Sequence, residues 1–434
     1  MNSDMVLVRH IAESVKQQHG RAFLVGGYVR DKLMGKTSKD LDVEVHGLDL
    51  KTLEKIITNV QRTTYNVQRR ATSYEMRATS LVGKSFGVFK LGEVDVALAR
   101  RDSKTAPGQG RKPQVAHDVN LTIEQASRRR DLTINALYLD PLTHEVLDPQ
   151  GGLKDLKSKI LRHVDAKRFG DDPLRVLRLM QFAGRFGFKI HPDTVKLSRK
   201  INLKHLSKER VGEEWNKLLL KSPKPSIGLK AAKDLNIFKQ LHPALDQLSP
   251  ADWRSSLLAA DRITNIEYRI SRHSIFSAAD IRHSKFLVYA GLCYWFKSDT
   301  KIKKFLEQVD YPKSERQAIL DLIASVRRLD KHFSDYELRK TAYDLKKHEL
   351  FLSDTVLLAQ ALGLTALAKK TNHRASQLKI LKSWPIPLIQ GRDLIKLGLK
   401  PGPHFAYLLK RAMEAQWRGE LKNKREALKL VMPN

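Results

Sequence analysis

Cysteine is nearly absent: the 434 residues hold one, Cys293. A lone thiol excludes an internal disulfide and a cysteine-based zinc site, and it fits a reducing cytoplasm. Acidic residues are scarce beside basic ones, 47 Asp and Glu against 79 Lys and Arg, for a formal charge of +32. A surplus that large points to a polyanionic partner, nucleic acid before membrane. A basic bias with no such partner is the plain alternative. Long apolar runs are missing too. The opening "MNSDMVLVRHIAESVKQ" lacks the apolar core of a secretory leader. The greasiest run, Phe286 to Phe296, is too short to cross a bilayer and reads as a buried helix. No internal repeat or low-complexity tract stands out. Hydrophobic content of 41% is ordinary for a soluble globular chain, and the length suffices for several domains with real cores.

Against these absences stands "FLVGGYVRDKLMGKTSKDLDVEV", residues 23 to 45. Asp40, Asp42 and Glu44 occupy every second position and alternate with Leu41, Val43 and Val45, which predicts a strand with one apolar and one carboxylate face. Acids at i and i+2 converge and repel unless a cation sits between them, and oxygen-only ligands suit Mg2+. A merely solvated face is the alternative. A calcium loop counted from Asp40 fails, because Val45 stands where Gly is needed and Lys51 where Glu is needed. Before the acids, Phe23-Leu24-Val25 leads into Gly26-Gly27 and a helix-like run, giving strand, glycine turn, helix, acidic strand. Glycine lets backbone N–H groups approach a phosphate closely.

A third acid belongs with these. In "GEVDVALAR", Asp95 lies between Val94 and Val96, with Glu93 two places back, and could join the metal face from a neighbouring strand. "RRDSKTAPGQGRKPQ", which follows, reads as a flexible basic loop. The organisation changes near residue 150. Strand-like pieces ("LTINALYLD", "HEVLDP") mix with helices before it, and helical periodicity dominates after it. The fold expected is an α/β head followed by a long, basic, helical body.

"LVGGYVRDKLMG…DLDV" resembles the signature of the class II tRNA nucleotidyltransferases and the related bacterial poly(A) polymerases. "RRRDLTINALYLD", "DPQGGLKDL", "DDPLRVLRLMQFAGRFGF" and "SKERVGEEWNKLL" follow in the family's order, so five motifs span residues 23 to 220. The tail "GRDLIKLGLKPGPHFAYLLKRAMEAQWRGEL" is similar to the C-terminal helical part of bacterial members. The resemblance implies an α+β fold: a DNA polymerase beta-like nucleotidyltransferase head over residues 1–150, a helical neck over 151–222, a helical body over 223–335 and an RNA-binding helical tail over 336–434. It implies transfer of nucleotides from CTP and ATP to the 3′ end of tRNA, with Mg2+ as cofactor, in the cytoplasm, with no membrane association and no obligate protein partner. CCA addition is the activity favoured; A-only, CC-only and poly(A) addition share the motifs, and a non-catalytic RNA-binding scaffold is the reading from another class.

Residue by residue, Asp40 and Asp42 match the family's metal-binding pair, with Asp95 as a third catalytic acid. Gly26, Gly27, Arg30 and Asp31 match the triphosphate motif, with Arg30 contributing charge. Arg129, Arg130, Asp131 and Asn135 match the motif linked to the nucleotide sugar and phosphates. On a helix Asp131 and Asn135, four apart, would share one face, and a capped surface helix is their bland reading. Asp172 and Arg175, with Arg178, match the segment where the family reads the incoming base with protein. A carboxylate accepts from the amine of C or A and a guanidinium donates to the neighbouring ring acceptor; U and G mismatch both. Asp172 followed by Pro173 is also a helix start, with Asp172 as N-cap and Pro173 at N1, although Asp171 could supply the cap instead. Asp171 stands where the family more usually has Glu.

Glu209, Arg210 and Glu214 are expected to support the reading helix. Many relatives carry a His-Asp phosphohydrolase domain, but the only adjacent pair here is His117-Asp118, in the head, and the body offers Cys293-Tyr294 at the corresponding buried helix. Hydrolase activity is not expected, and His273, His283 and His332 read as surface or RNA-facing. In the tail, Pro401-Gly402-Pro403 opens a helix carrying Lys410, Arg411, Arg418, Lys422 and Lys424. These are expected to grip RNA.

Overall fold

The computed structural model describes residues 3–38, 40–71, 88–102, 115–271 and 278–432. Most of the basic stretch from Arg100 to Pro113, and His273, lie outside the described residues. The chain divides into two compact units. The first is Met1–Ala183 with Gly187–Asn202, and the second is Gly184–Phe186 with Leu203–Asn434.

In the first unit the expected order appears: helix α1 (Ser3–Gln17), strand β1 (Arg21–Val25), helix α2 (Gly27–Leu33), strand β2 (Leu41–His46) and helix α3 (Leu50–Ala71). Strands β3 (Val88–Leu91) and β4 (Val94–Leu98) follow, then the short pair β5 (Arg100–Asp102) and β6 (Val115–His117). Helix α4 (Ile123–Ser127) precedes β7 (Tyr138–Leu139) and β8 (Val146–Leu147). Six strands form one mixed sheet in the order β3-β4-β2-β1-β7-β8. Within it β2 and β4 run parallel and the other pairs antiparallel.

The sheet has two unlike faces because its strands alternate. Val43, Val45, Val94, Val96 and Leu98 point into a core closed by Val8, Ile11 and Val15 of α1 and Leu53, Ile57 and Val60 of α3. Each helix supplies these residues at three- and four-residue spacing, the stripe such a core requires. The other face carries Phe23, Val25 and Tyr138 in a small cluster of their own. Val25 pairs with Asp42 and Phe23 with Glu44, so the acids stand on this second face.

The rest of the first unit clamps one turn. Helix α5 (Gly152–Ser158) leads to β9 (Ile160–Leu161), and helix α6 (Leu174–Phe186) to β10 (Lys189–Ile190), which pairs parallel with β9, and helix α7 (Pro192–Ser198). "DPQGGLKDL" explains itself here. Asp148 accepts from the N–H of Gly152 (2.6 Å) and of Leu153 (3.0 Å), closing the start of α5. Gly152 sits so close to Thr133 that a Cβ would fall 2.2 Å from the Thr133 carbonyl oxygen. Asp155 then accepts from the Thr133 hydroxyl (2.7 Å) and from Arg162 Nε (2.9 Å).

The second unit is helical among the described residues. Helix α8 (Lys208–Lys221) starts at Ser207, whose side chain accepts from Arg210 N–H. Its core gathers aromatics: Trp215 meets Phe305 edge-on at 5.3 Å and donates from Nε1 to His242 (3.0 Å), and burial pushes His242 down to about 3. Phe286 to Phe296 is buried as expected, with Trp295 the half-buried exception. Among the described residues no helix is long and apolar enough to cross a membrane.

Candidate active site

The acidic face forms where β2 and β4 lie side by side. Their parallel register sets Asp42 opposite Asp95, about 4.8 Å apart at the backbone, and Asp40 precedes β2 on the same face. Asp40 and Asp42 are open to solvent. Although Asp42 is exposed as a residue, the surrounding protein partly desolvates its carboxylate; this, with the like charges of Asp95 and Asp40, pushes it above the usual carboxylate range against the pull of Arg130 and Arg129. Asp95 Oδ1 is buried without a hydrogen bond, with Lys90 Nζ at 3.8 Å. Among the described residues no three His, Cys, Asp or Glu side chains converge on one point as a ready metal cage. The donor set still fits Mg2+, which is commonly held by one or two carboxylates, with substrate phosphates completing the shell. Asp40 and Asp42 would hold it, with Asp95 beside them.

Gly26 closes this edge. Its φ of 69° and ψ of −130° lie in a region that side chains rarely tolerate. A Cβ there would stand 3.2 Å from Arg130 Nη1 and 3.7 Å from Asp42 Oδ2. The glycine therefore keeps a gap between an acid and an arginine. Gly27 starts α2, whose first turn has no side-chain cap.

Glu44 departs from the expected carboxylate face. It shares the face with Asp42 but is only 2% exposed, because two arginines, a tyrosine and a histidine cover it. Its Oε2 accepts from Arg129 Nη2 (2.6 Å) and Arg130 Nη2 (3.0 Å). Its Oε1 accepts from the Tyr138 hydroxyl (2.9 Å) and lies 3.1 Å from His46 Nε2. Burial opposes its charge, yet Arg130, His46 and Arg129 hold the carboxyl well below the usual range. The acid alternation points at Glu44, but of its partners only His46 is local, and nothing nearby announces Arg129, Arg130 and Tyr138.

A second ionic lattice lies under the turn. Asp131 and Asn135 meet, as their spacing implies, but through a 3-10 turn at Thr133–Asn135 rather than an α-helix. Asn135 Nδ2 donates to Asp131 Oδ1 (2.9 Å), and Arg178 Nε donates to Asp131 Oδ2 (2.6 Å). Burial notwithstanding, Arg178, Asn135 and the Leu132 N–H lower the Asp131 carboxyl. Arg30, expected to contribute charge, is 3% exposed and donates to Asp31 (2.8 Å) and Asn135 (2.6 Å). Arg30 and Arg178 also lie over the Phe182 ring, at 5.3 and 5.0 Å.

Asp172 and Arg175 flank the start of α6. Asp172 is extended, not helical, and its own Oδ1 accepts the Leu174 N–H (3.1 Å). That bond is the one the helix-start reading expects of Asp172. Arg175 donates from Nη1 to the Arg168 carbonyl (2.8 Å) and from Nη2 to the Arg129 carbonyl (2.6 Å). Asp172 precedes the helix and Arg175 lies in its first turn, so the two are not both on its surface.

In the second unit, Glu214 is buried against Lys217 (2.8 Å), whereas Glu209 and Arg210 are exposed. His283, partly exposed, lies 3.4 Å from Asp354. Cys293 and Tyr294 are both buried. The tail helix Pro403–Arg418 starts at Gly402, and Lys410, Arg411 and Arg418 are exposed along it. Arg418 is paired with Glu420 (2.7 Å), and Lys424 with Asp393 (2.6 Å).

A mixed sheet presenting paired acids beside a glycine turn, followed by helices, makes an α+β fold with a nucleotidyltransferase head. A model of the poly(A) polymerase head domain matches residues 22–162, and one described as a probable RNA- and SrmB-binding site of polymerase A matches 187–248. A third, a putative second domain of tRNA nucleotidyltransferase, matches 282–431. In that order they account for most of the chain, which belongs to the family of class II tRNA nucleotidyltransferases and poly(A) polymerases. The fold is similar to that of the Bacillus stearothermophilus CCA-adding enzyme in complex with CTP, at 21% identity and TM-score 0.68, over 99% of this chain and 98% of that one. It is similar also to a Thermotoga maritima CCA-adding enzyme complexed with tRNA, at 20% identity and TM-score 0.66, over 99% and 95%. A tRNA nucleotidyltransferase complexed with a primer tRNA and an ATP analogue matches at 23% and 0.60, over 85% and 98%.

Proposed function

We propose that this protein extends the 3′ end of tRNA without a nucleic-acid template, adding CCA from CTP and ATP and releasing pyrophosphate. The observation that carries the reading is the register placing Asp42 beside Asp95 at the Gly26 turn, with Arg130 across the gap. Mg2+ held by Asp40 and Asp42 would lower the pKa of the attacking hydroxyl and neutralise charge on the triphosphate. The chain's own side chains position and select. Gly26 and Gly27 let phosphate approach the backbone, and Arg129 and Arg130, tethered on Glu44, offer it positive charge. The Asp131–Asn135 turn, braced from below by Arg30, Asp31 and Arg178, serves the ribose. Asp172 accepts from the amine of C or A while Arg175 donates to the ring acceptor. The bonds from Arg175 to two carbonyls fix its plane for that task. Lys410, Arg411 and Arg418 hold RNA in the tail.

On this reading residues 1–150 form the catalytic head, 151–222 the neck, 223–335 the body and 336–434 the tail, and the protein works in the cytoplasm, where mature tRNA is used. The structural kinship with CCA-adding enzymes bound to CTP and to tRNA supports it.

The test offers tRNA lacking CCA, tRNA ending in CC, and an unrelated RNA, each with the four nucleotides. Completion to CCA on the first supports the proposal. Reaction on the second alone makes this an A-adding enzyme, long tails on the third a poly(A) polymerase, and no incorporation at all a non-catalytic RNA-binding scaffold. Asp42→Ala should leave only a trace of incorporation with tRNA binding retained. Asp172→Ala should lose discrimination against UTP and GTP by about 1–3 kcal/mol, the worth of a good base contact.

A further inference from the structure

We infer that Glu44 is a positioning residue for both halves of nucleotide recognition: its buried carboxylate sets Arg129 and Arg130 and, through the Arg129 backbone, Arg175. The inference rests on the nucleotide-binding reading of this site. That reading tethers Arg129 and Arg130 on Glu44 but gives the acid no part in base choice, and Glu44 would touch neither substrate nor metal.

The geometry is a chain of fixed contacts. Arg129 and Arg130 are adjacent in sequence, and both guanidinium groups end on the same oxygen, Oε2. Two like charges so placed repel unless an anion lies between them. The other oxygen cannot rotate away, because Tyr138 donates to it and His46 stands beside it. Arg130 is thereby held with Nη1 over the Gly26 gap, next to Asp42, while the Nε of each arginine has no hydrogen-bond partner. Arg129 is also held at its backbone, where its carbonyl accepts from Arg175 Nη2. A tilt of Arg129 therefore reaches the guanidinium assigned to base choice as well as those assigned to phosphate.

The competing account is a satisfied buried ion pair that only adds stability. Three proteins separate the two: the wild type, Glu44→Gln, and Asp140→Asn, which removes a largely buried carboxylate from the same sheet, where it binds Arg21 and the turn after Leu139. For each, the equilibrium affinity for CTP and for UTP, KM and kcat for addition, and the thermal midpoint are measured. Glu44→Gln should weaken CTP binding and raise KM about ten- to a hundredfold, a range that a misplacement of about 1 Å produces. It should also narrow the preference for CTP over UTP, whereas Asp140→Asn should change only the midpoint. Should Glu44→Gln fail to fold, Glu44→Asp, which keeps the charge but withdraws it by one methylene, should show the same loss of affinity and preference. A folded Glu44→Gln or Glu44→Asp with wild-type affinity and preference overturns the inference. Because binding is read apart from turnover, a wild type that binds CTP but adds nothing to tRNA refutes the proposed activity and leaves the role of Glu44 decided by the binding data.

Discussion

Asp42 and Glu44 stand two residues apart on one strand face, and the protein treats them oppositely. Asp42 is held above the usual carboxylate range by crowding and by its acidic neighbours. Glu44, and Asp131 below the turn, are held under that range by arginines and hydrogen bonds that outweigh burial. Linkage gives each a sign. Depressed carboxyls stabilise the fold above their unfolded values, near 4, and that contribution is lost as the pH falls through their folded values. A raised carboxyl costs stability at neutral pH, and the cost is relieved on acidification. Stability should therefore vary little from pH 7 to about 5 and fall below about 4, where Glu44 and Asp131 take up protons. Urea midpoints across that range, with Asp131→Asn alongside, give the check. The variant should be weaker at neutral pH and flatter below about 4. A variant curve parallel to the wild type would show that the Asp131 charge contributes nothing.

Among the elements, strand, glycine turn, helix and acidic strand are legible over residues 21–46 because alternation and Gly26 are local signals. The pairing of β2 with β4 is legible at Asp95 because both strands carry the same apolar-acid alternation. Glu44 reads wrongly as part of an open acidic face, since the arginines and the tyrosine that cover it lie 85, 86 and 94 residues away. Spacing alone suggests a helix for Asp131 and Asn135, and it cannot tell an i, i+4 helical pair from the ends of a 3-10 turn held by α5. That clamp is itself testable. A Cβ at residue 152 would meet backbone rather than a yielding side chain, so Gly152→Ala should cost about 1–3 kcal/mol, the usual range for overpacking. It should also disturb the Thr133 turn. Thermal and urea midpoints measure the first effect, and CTP affinity the second; unchanged values in both would mean that α5 and the turn can separate freely.

Over the whole molecule the dominant quantity is charge. With +32 formal charges, and basic side chains exposed on the tail helix, affinity for tRNA should fall steeply with salt, because every phosphate neutralised releases counterions. Binding constants from low to moderate ionic strength test this, and a slope near zero would place the basic excess away from the RNA. Lys410→Ala with Arg411→Ala should make the slope shallower by roughly one unit for each phosphate left without its cation. The parallel register of β2 and β4 has a temporal consequence as well. Asp42 and Asp95 become neighbours only after the chain has made the long return excursion that parallel strands demand. Pairings of such sequence separation form slowly, since loop closure precedes any contact that rewards it. A nascent chain halted before residue 95 can thus carry β1, α2 and β2 without the edge that sets Asp42 beside Asp95.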